Sequence, residues 1–361
     1  MLKTENRGLC RMKTVYEMRL QARNKNMKKR TREPIQIALG VDQTGATQNQ
    51  GSRFRPLPVA RAWRTKGAPR EIHLQVLHPG TRTPFWAAQF DRLALLGVIA
   101  DVELGDRCPR VLVDAVLGLP FDITSQNHLQ GDLRAALRDA GQFFVRRQRE
   151  GLSHRGRLAA EAYFEGLLKS LPGTQGVPTR EAERLAGANS VFLSRPYQKN
   201  VQTGTFRIWV ELARWLDEET SHQDVCFPHH DPSTFISPQK WRVEESWPSL
   251  LWRTLLGVKV RSPKELGGAL KSLEKSRKIR FFCDSENLEF CATHPDHADA
   301  LVLALGGILL PESQQQGPPG EGWITGLVKA EGAHAKLEAQ SPFEHEGSNH
   351  EHSSKANQTR E

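Results

Sequence analysis

Apolar and polar residues alternate along the first half of the chain in the patterns of strands and then of helices. Three strand-like runs come first, at 35–42, 58–63 and 71–77. An amphipathic helix is predicted over 84–96, and 110–117 is an almost continuous apolar run, typical of a strand buried on both faces. Three consecutive strands followed by alternating elements predict an α/β protein with a mixed sheet and flanking helices.

The hydrophobic periodicity of the rest of the chain is weaker but still predicts several elements. The segment 150–235 is predicted to be a mainly helical insertion or a substrate-facing subdomain. Within it we expect helices at 161–171 and 206–215. Outside it we expect strands at 241–247, 280–283 and 323–328, and helices at 129–149, 249–256 and 294–309.

Composition and charge define three regions. The 361 residues are 38% hydrophobic and 25% charged, which is typical of a globular protein. The net charge of +9 lies mostly in residues 1–33, which contain 11 Lys and Arg against three Asp and Glu. We interpret 1–33 as a basic flexible leader, 34–330 as the folded domain and 331–361 as a disordered polar tail. The leader is a solvated tail, the product of a start codon upstream of Met12, Met18 or Met27, or an electrostatic arm for nucleic acid.

Targeting and cysteine patterns favour a reducing compartment. No run is apolar for the roughly 20 residues that a membrane helix needs, and no signal segment opens the chain. The five cysteines are scattered, without a CxxC pair, so neither a disulfide framework nor a structural zinc site is expected. We therefore predict a cytoplasmic protein that does not enter membranes.

Acidic residues fall at the ends of the predicted strands. Asp42 ends the first strand, Asp114 is predicted inside the fourth, and Glu244 and Glu245 interrupt a later one before Trp247. Asp296 and Asp299 share one face of the last helix. Carboxylates that converge from distant segments are suited to hold Mg²⁺ or Mn²⁺, and two such ions about 4 Å apart promote phosphodiester hydrolysis.

Each acid also has a structural interpretation. Asp42 is placed for an Asx turn with Thr44, and Asp114 for an ion pair with a buried arginine. Glu245 suits an exposed strand position, and Asp296 suits the first turn of a helix, where it opposes the dipole.

Five short segments, taken together, resemble domain-of-unknown-function family 429, whose members are described as predicted nucleases of the ribonuclease H-like fold. They are GVDQTGA at 40–46 with RPLPVA at 55–60, VDAVLGLP at 113–120, ESWPS at 245–249, HPDHADAL at 294–301 and GEGWI at 320–324. The resemblance covers roughly residues 35–330. Val116 departs from the turn-forming residue expected there, and 150–235 is longer than the minimal fold requires.

The resemblance implies a ribonuclease H-like fold with a mixed five-stranded sheet. It places Asp42, Asp114, Glu245 and Asp299 around a metal-dependent centre, with Asp296 as a further candidate ligand. On this interpretation the centre binds two Mg²⁺ or Mn²⁺ ions and the substrate is DNA or RNA. Thr44 and Arg55 are candidate phosphate contacts.

Other clusters are weaker candidates. Arginines gather between 134 and 157, and Arg146, Arg147 and Arg149 are suited either to a solvated helix face or to contact with nucleic-acid phosphates. Trp241, Trp247 and Trp252 are expected to be core residues rather than base-stacking platforms. The sequence His229-His230-Asp231 is a weak metal-ligand pattern.

Two other classes of function remain open. One is an ATP-dependent phosphotransferase of the actin-like or sugar-kinase type, since residues 42–47 loosely resemble its phosphate loop. The other is a non-catalytic nucleic-acid-binding protein on the same scaffold.

Overall fold

The runs predicted at the start of the chain form the middle of a seven-stranded mixed sheet. The computed structural model describes residues 34–43, 47–48, 53–54, 57–65, 67–77, 110–120, 123, 129, 131–151, 156–169, 176–193, 201–217, 225–231, 241–311, 317–318 and 320–327. Its strands are β1 (Pro34–Val41), β2 (Thr47–Gln48), β3 (Arg53–Phe54), β4 (Val59–Thr65), β5 (Ala68–Leu77), β6 (Arg110–Val113), β7 (Val225–Cys226), β8 (Trp241–Glu245) and β9 (Arg280–Cys283).

The sheet contains both parallel and antiparallel pairs, and its strand order is β7-β8-β6-β1-β4-β5-β9. The strands β1, β4 and β5 form an antiparallel meander. On the other side of β1, the strands β6, β8 and β7 are all parallel to it, and β9 adds to β5 in parallel. Strands β2 and β3 pair separately. The carboxyl ends of β1, β6 and β8 therefore meet at one edge of the sheet.

Eight helices are present in the described part of the chain. They are α1 (Leu133–Arg149), α2 (Gly156–Lys169), α3 (Glu181–Ala186), α4 (Val201–Asp217), α5 (Pro248–Thr254), α6 (Leu266–Arg277), α7 (Ser285–Thr293) and α8 (Pro295–Leu309), with a 3-10 turn at Pro263–Glu265. Helix α1 begins where Asp132 accepts a hydrogen bond from the backbone N–H of Arg134 (2.8 Å). Helix α8 begins with Pro295, which suits a first turn because that position needs no backbone donor.

The two faces of the sheet bury different helices, because successive strand residues point to opposite sides. Leu39 and Val41 pack with α1, α2 and α4, for example with Phe206 of α4. Ala38 of the same strand packs with α5, α6 and α8. The helices of the segment 150–235 thus share a hydrophobic core with β1. We call the two sides the α4 face and the α8 face.

Helix α8 lies unusually close to β1. A Cβ atom added to Gly40 would lie 2.0 Å from the carbonyl oxygen of Ala300 and 2.4 Å from the backbone nitrogen of Ala304. Gly307 similarly lies against the side chain of Ala38. Small residues at these points let the helix and the strand meet backbone to backbone, which brings the first turns of α8 to the carboxyl end of β1.

Comparison with the sequence confirms the α/β class and the mixed sheet and corrects several details. The sheet has seven strands rather than five. The fourth predicted strand ends at Val113, so Asp114 follows the strand instead of lying inside it. The strand predicted at 323–328 is wrong, because Thr325 and Gly326 form a turn there. Helices α3, α6 and α7 and strand β7 were not predicted, and the predicted helix 84–96 lies outside the described residues.

In the described part of the chain, no helix combines the length and the apolar composition that a membrane crossing needs.

Candidate functional site

Two aspartates stand side by side at the carboxyl ends of β1 and β6. Val41 and Val113 are in register across this parallel pair, so Asp42 and Asp114 are the next residues on each strand. The ladder continues through them, because the backbone N–H of Asp114 donates to the carbonyl of Val41 (2.9 Å). Val41 belongs to the α4 face, and the alternation of side chains therefore directs Asp42 and Asp114 to the α8 face.

Helix α8 brings a third aspartate to the same place. Asp299 lies in its second turn and is only 1% exposed. Its Oδ1 accepts a hydrogen bond from the indole N–H of Trp252 (2.8 Å), and its Oδ2 is paired with Arg261. Asp296 lies one turn earlier, half-buried in the first turn of the helix, where a negative charge also opposes the helix dipole.

The electrostatics show that these acids act on one another. Burial raises the pKa of Asp42 well above its ordinary value, and the charges of Asp114, Asp299 and Asp296 raise it further. Burial likewise raises the pKa of Asp114 to about 7, although its hydrogen bond with Asp42 and the charge of Arg261 both lower it. A pocket that holds this much negative charge out of water is stable only with added protons or cations.

Glu245 approaches the cluster from the other side of the sheet. It is in register with Val113 on the neighbouring strand β6, so its side chain points to the α4 face. It is 1% exposed, which makes the interpretation as an exposed strand residue wrong. Its carboxylate is paired with the guanidinium of Arg180, and its charge still contributes to the raised pKa of Asp114.

Glu244, the adjacent acid, points to the α8 face but deeper in the sheet. The guanidinium of Arg110 donates to both of its oxygens, at 2.9 and 2.7 Å, and the hydroxyl of Thr325 donates to Oε2 (2.8 Å). Burial alone would raise the pKa of Glu244, but the charge and hydrogen bonds of Arg110 hold it below its ordinary value. Glu244 is therefore a neutralised structural residue.

The predicted phosphate contacts divide into two groups. Thr44 and Arg55 lie outside the described residues. Arg146, Arg147 and Arg149 form the last turn of α1, where positive charge is favourable because it opposes the helix dipole. Arg146 and Arg149 are exposed, and the guanidinium groups of Arg146 and Arg147 lie 6.0 and 5.6 Å from the ring centre of Phe143.

Helix packing places this basic turn beside the first turn of α4, on the opposite face of the sheet from the three aspartates. Helices α1 and α4 run antiparallel, since Arg138 pairs with Asp217 while Phe144 packs on Phe206. The last turn of α1 therefore flanks the first turn of α4. In that first turn, Gly204 lies directly against the side chain of Gln43, the residue after Asp42.

The histidine pattern at 229–231 is engaged in protein contacts. His229 shares a hydrogen bond with Thr325 (3.1 Å), and the ring of His230 donates to the carbonyl of Leu117 (2.6 Å). Asp231 accepts from Arg134 (2.8 Å) and from the backbone of Phe227 (2.7 Å). These contacts give the three residues a structural role.

Among the described residues, no group of three or more His, Cys, Asp or Glu side chains is arranged to hold a metal ion. The contacts above give the reason at the acidic cluster, where Asp42 is hydrogen-bonded to Asp114 and Asp299 is paired with Arg261. Carboxylate oxygens are the ligand type that a hard divalent cation takes, and the buried Asp42 and Asp299 and the half-buried Asp114 come from separate segments and lie close enough to repel one another.

Sequence reasoning missed the partners of these acids. Arg180 and Arg261 lie in loops before α3 and before the 3-10 turn, at sequence distances of 65 and 38 residues from Glu245 and Asp299. No local spacing links such positions. Trp252 was predicted to be a core residue, and it is fully buried, but its hydrogen bond to Asp299 was not foreseen.

Comparisons with known proteins add no relative to this picture: no family model, curated protein or solved structure matches the chain. The chemistry of the site must therefore be argued from its own residues. Three acids at the carboxyl ends of parallel strands and on an adjacent helix form a pocket with an excess of negative charge, and a basic helix turn lies towards the same edge.

Proposed function

We propose that this protein is a divalent-metal-dependent nuclease of the ribonuclease H-like type, which hydrolyses phosphodiester bonds of DNA or RNA. The observation that carries the proposal is the shared pocket of Asp42, Asp114 and Asp299, whose burial and mutual repulsion raise the pKa values of Asp42 and Asp114. A pocket of this kind costs free energy unless a cation compensates it.

The sheet supports the same proposal. The sheet is mixed, as the resemblance to family 429 implies, although it has seven strands rather than five. Asp42, Asp114 and Asp299 come from three different motifs and lie close together. In the sequence, Asp114 follows Asp42 by 72 residues and Asp299 follows Asp114 by 185 residues. Such convergence is what a catalytic centre requires.

The residues have distinct roles in the proposed reaction. Asp42, Asp114 and Asp299 hold the cation and fix its position at the sheet edge. When bound, Mg²⁺ or Mn²⁺ lowers the pKa of a coordinated water and stabilises negative charge on phosphate oxygens. The arginines at the end of α1 contact the nucleic-acid backbone, and Thr44 and Arg55 remain predicted phosphate contacts.

The proposal is tested by cleavage of single-stranded, double-stranded and branched DNA and RNA with Mg²⁺ or Mn²⁺, and with EDTA as the metal-free control. We expect metal-dependent cleavage that falls at least about a hundredfold in Asp42→Asn and Asp114→Asn. The matched control is Asp217→Asn, because Asp217 is exposed at the far end of α4. Equal activity of all variants would reject the proposal.

A non-catalytic nucleic-acid-binding protein is the second candidate, and the basic turn of α1 favours it. It predicts salt-sensitive binding that persists in Asp42→Asn and falls when Arg146 and Arg149 are replaced by Gln, without any cleavage. Binding of ATP without cleavage of nucleic acid would instead support the phosphotransferase interpretation.

A further inference from the structure

The register of β8 separates Glu245 from the three aspartates. Glu245 pairs in register with Val113, whereas Asp114 is the next residue of that neighbouring strand. Side chains alternate along each strand, so Glu245 points to the α4 face while Asp42 and Asp114 point to the α8 face. The burial pattern agrees, because Val113 and Val243 pack in the core of the α4 face.

Hydrogen bonds occupy both oxygens of Glu245. Oε2 accepts from the backbone N–H of Leu117 (2.7 Å) and from Nη1 of Arg180 (2.7 Å). Oε1 accepts from Nη2 of Arg180 (2.6 Å) and from the indole N–H of Trp247 (3.1 Å). A carboxylate that accepts four hydrogen bonds has little capacity left for a cation.

Arg180 is itself held in place. It is fully buried, and it also donates to Glu183 (3.1 Å) and to the backbone carbonyl of Glu321 (3.0 Å). Separating a buried, bidentate ion pair leaves two uncompensated charges. Release of Glu245 from Arg180 to bind a cation is therefore energetically unfavourable. Burial alone would lower the pKa of Arg180, but the charges of Glu245 and Glu183 raise it overall, which keeps the guanidinium charged.

Asp299 differs from Glu245 in this respect. Its arginine partner, Arg261, has a side chain that is 34% exposed and can turn into water. Its Oδ1 also accepts a hydrogen bond from the indole N–H of Trp252, which does not depend on Arg261. Displacement of Arg261 by a cation therefore leaves no buried charge without a partner.

We infer that Glu245 is a positioning residue rather than a metal ligand, and that the centre takes a single divalent cation, held by Asp42, Asp114 and Asp299. Through Leu117, Glu245 fixes the segment that follows Asp114. That segment is also packed tightly, since a Cβ atom on Gly118 would lie 2.1 Å from the backbone oxygen of Glu321. This inference rests on the proposed function for the existence of the cation.

The test is the stoichiometry of Mn²⁺ binding to the full chain, measured by isothermal titration calorimetry and by the electron paramagnetic resonance signal of free Mn²⁺. We expect one ion in the wild type, one ion in Glu245→Gln with a Kd within about threefold, and none in Asp114→Asn. Two ions in the wild type and one in Glu245→Gln would overturn the inference and leave the proposed function intact. Absence of binding in the wild type would instead reject the proposed function.

Rescue by a conservative substitution distinguishes positioning from ligation. A positioning role predicts that Glu245→Ala weakens Mn²⁺ binding at least tenfold, and that Glu245→Gln restores it, because the amide oxygen still accepts the N–H of Leu117. A ligand role predicts that Glu245→Gln loses as much affinity as Asp114→Asn. If Glu245→Gln does not fold by circular dichroism, the neutral combination of Glu245→Gln, Arg180→Gln and Glu183→Gln carries the same prediction, since it leaves none of these three buried charges unpaired.

Discussion

The carboxyl groups of Asp42 and Asp114 share a hydrogen bond across the gap between two parallel strands. One of the two carboxyl groups must be protonated for this contact, which buried like charges favour. The cation-free site is therefore held together by a proton at the place where the proposed function requires a metal ion.

Removing one of these charges is expected to stabilise the cation-free protein. At pH 8 in EDTA, we predict that Asp42→Asn raises the free energy of unfolding by about 2 kcal/mol, because it relieves burial and repulsion of a carboxylate. The same substitution should abolish the increase in thermal stability that Mn²⁺ gives the wild type. Thermal denaturation with and without Mn²⁺ measures both effects, and a destabilised, Mn²⁺-responsive variant would contradict them.

The close approach of β1 and α8 predicts a sharp steric requirement. Gly40→Ala places a methyl group against the backbone of Ala300. We therefore expect the free energy of unfolding to fall by about 3 kcal/mol, and Mn²⁺ binding to weaken because α8 moves away from β1. The control is Gly268→Ala in helix α6, where an added Cβ meets nothing within 4 Å. That variant should be as stable as the wild type or up to about 1 kcal/mol more stable. Chemical denaturation compares the two, and equal stabilities would contradict the steric argument.

Arg261 is expected to compete with the metal ion. Its guanidinium is paired with Asp299 and lowers the pKa of Asp114, so it already supplies positive charge to the pocket. We predict that Arg261→Gln tightens Mn²⁺ binding about fivefold, which corresponds to ~1 kcal/mol. Arg253→Gln is the control, because Arg253 is exposed and its Nε donates within its own helix to Ser249. Weaker Mn²⁺ binding in Arg261→Gln alone would show that Arg261 supports the site instead.

His230 should make stability depend on pH. Burial lowers its pKa from 6.5 to about 4, although the hydrogen bond to Leu117 raises it. A histidine with a lowered pKa in the folded state contributes stability above the pKa of the unfolded chain, and loses it as the pH falls from about 6.5 to about 4. Over that pH range, the free energy of unfolding of His230→Gln should fall by about 2 kcal/mol less than that of the wild type. Urea denaturation at several pH values measures this difference. Parallel curves for the two proteins would contradict this role.

Local pattern was sufficient for most of the sheet. Apolar, β-branched runs placed β1, β4, β5 and β8 within a few residues, and β9 at its observed bounds. The fourth run was longer than its strand, because the apolar residues after Asp114 pack in a loop of the core rather than in the sheet. An apolar run reports burial, and burial is shared by strands and by tightly packed loops.

The arrangement of the site required more than local pattern. The alternation of side chains is implicit in the sequence, but the register that sets Glu245 beside Val113 depends on pairing between segments 132 residues apart. The partners Arg180 and Arg261 come from loops without periodicity. The sequence pattern was sufficient to select the aspartates as candidate site residues. It was not sufficient to identify the arginines that pair with Glu245 and Asp299.

The contact between Gly40 and helix α8 has a consequence for engineering. Main-chain atoms touch there directly, so the distance from Asp299 to Asp42 is set by the thickness of two peptide backbones rather than by the volume of interchangeable apolar groups. Repacking of the surrounding interior with differently shaped hydrophobic residues should therefore leave the spacing of these acids intact. Redesign of the proposed cation site is best directed at the loop that carries Arg261.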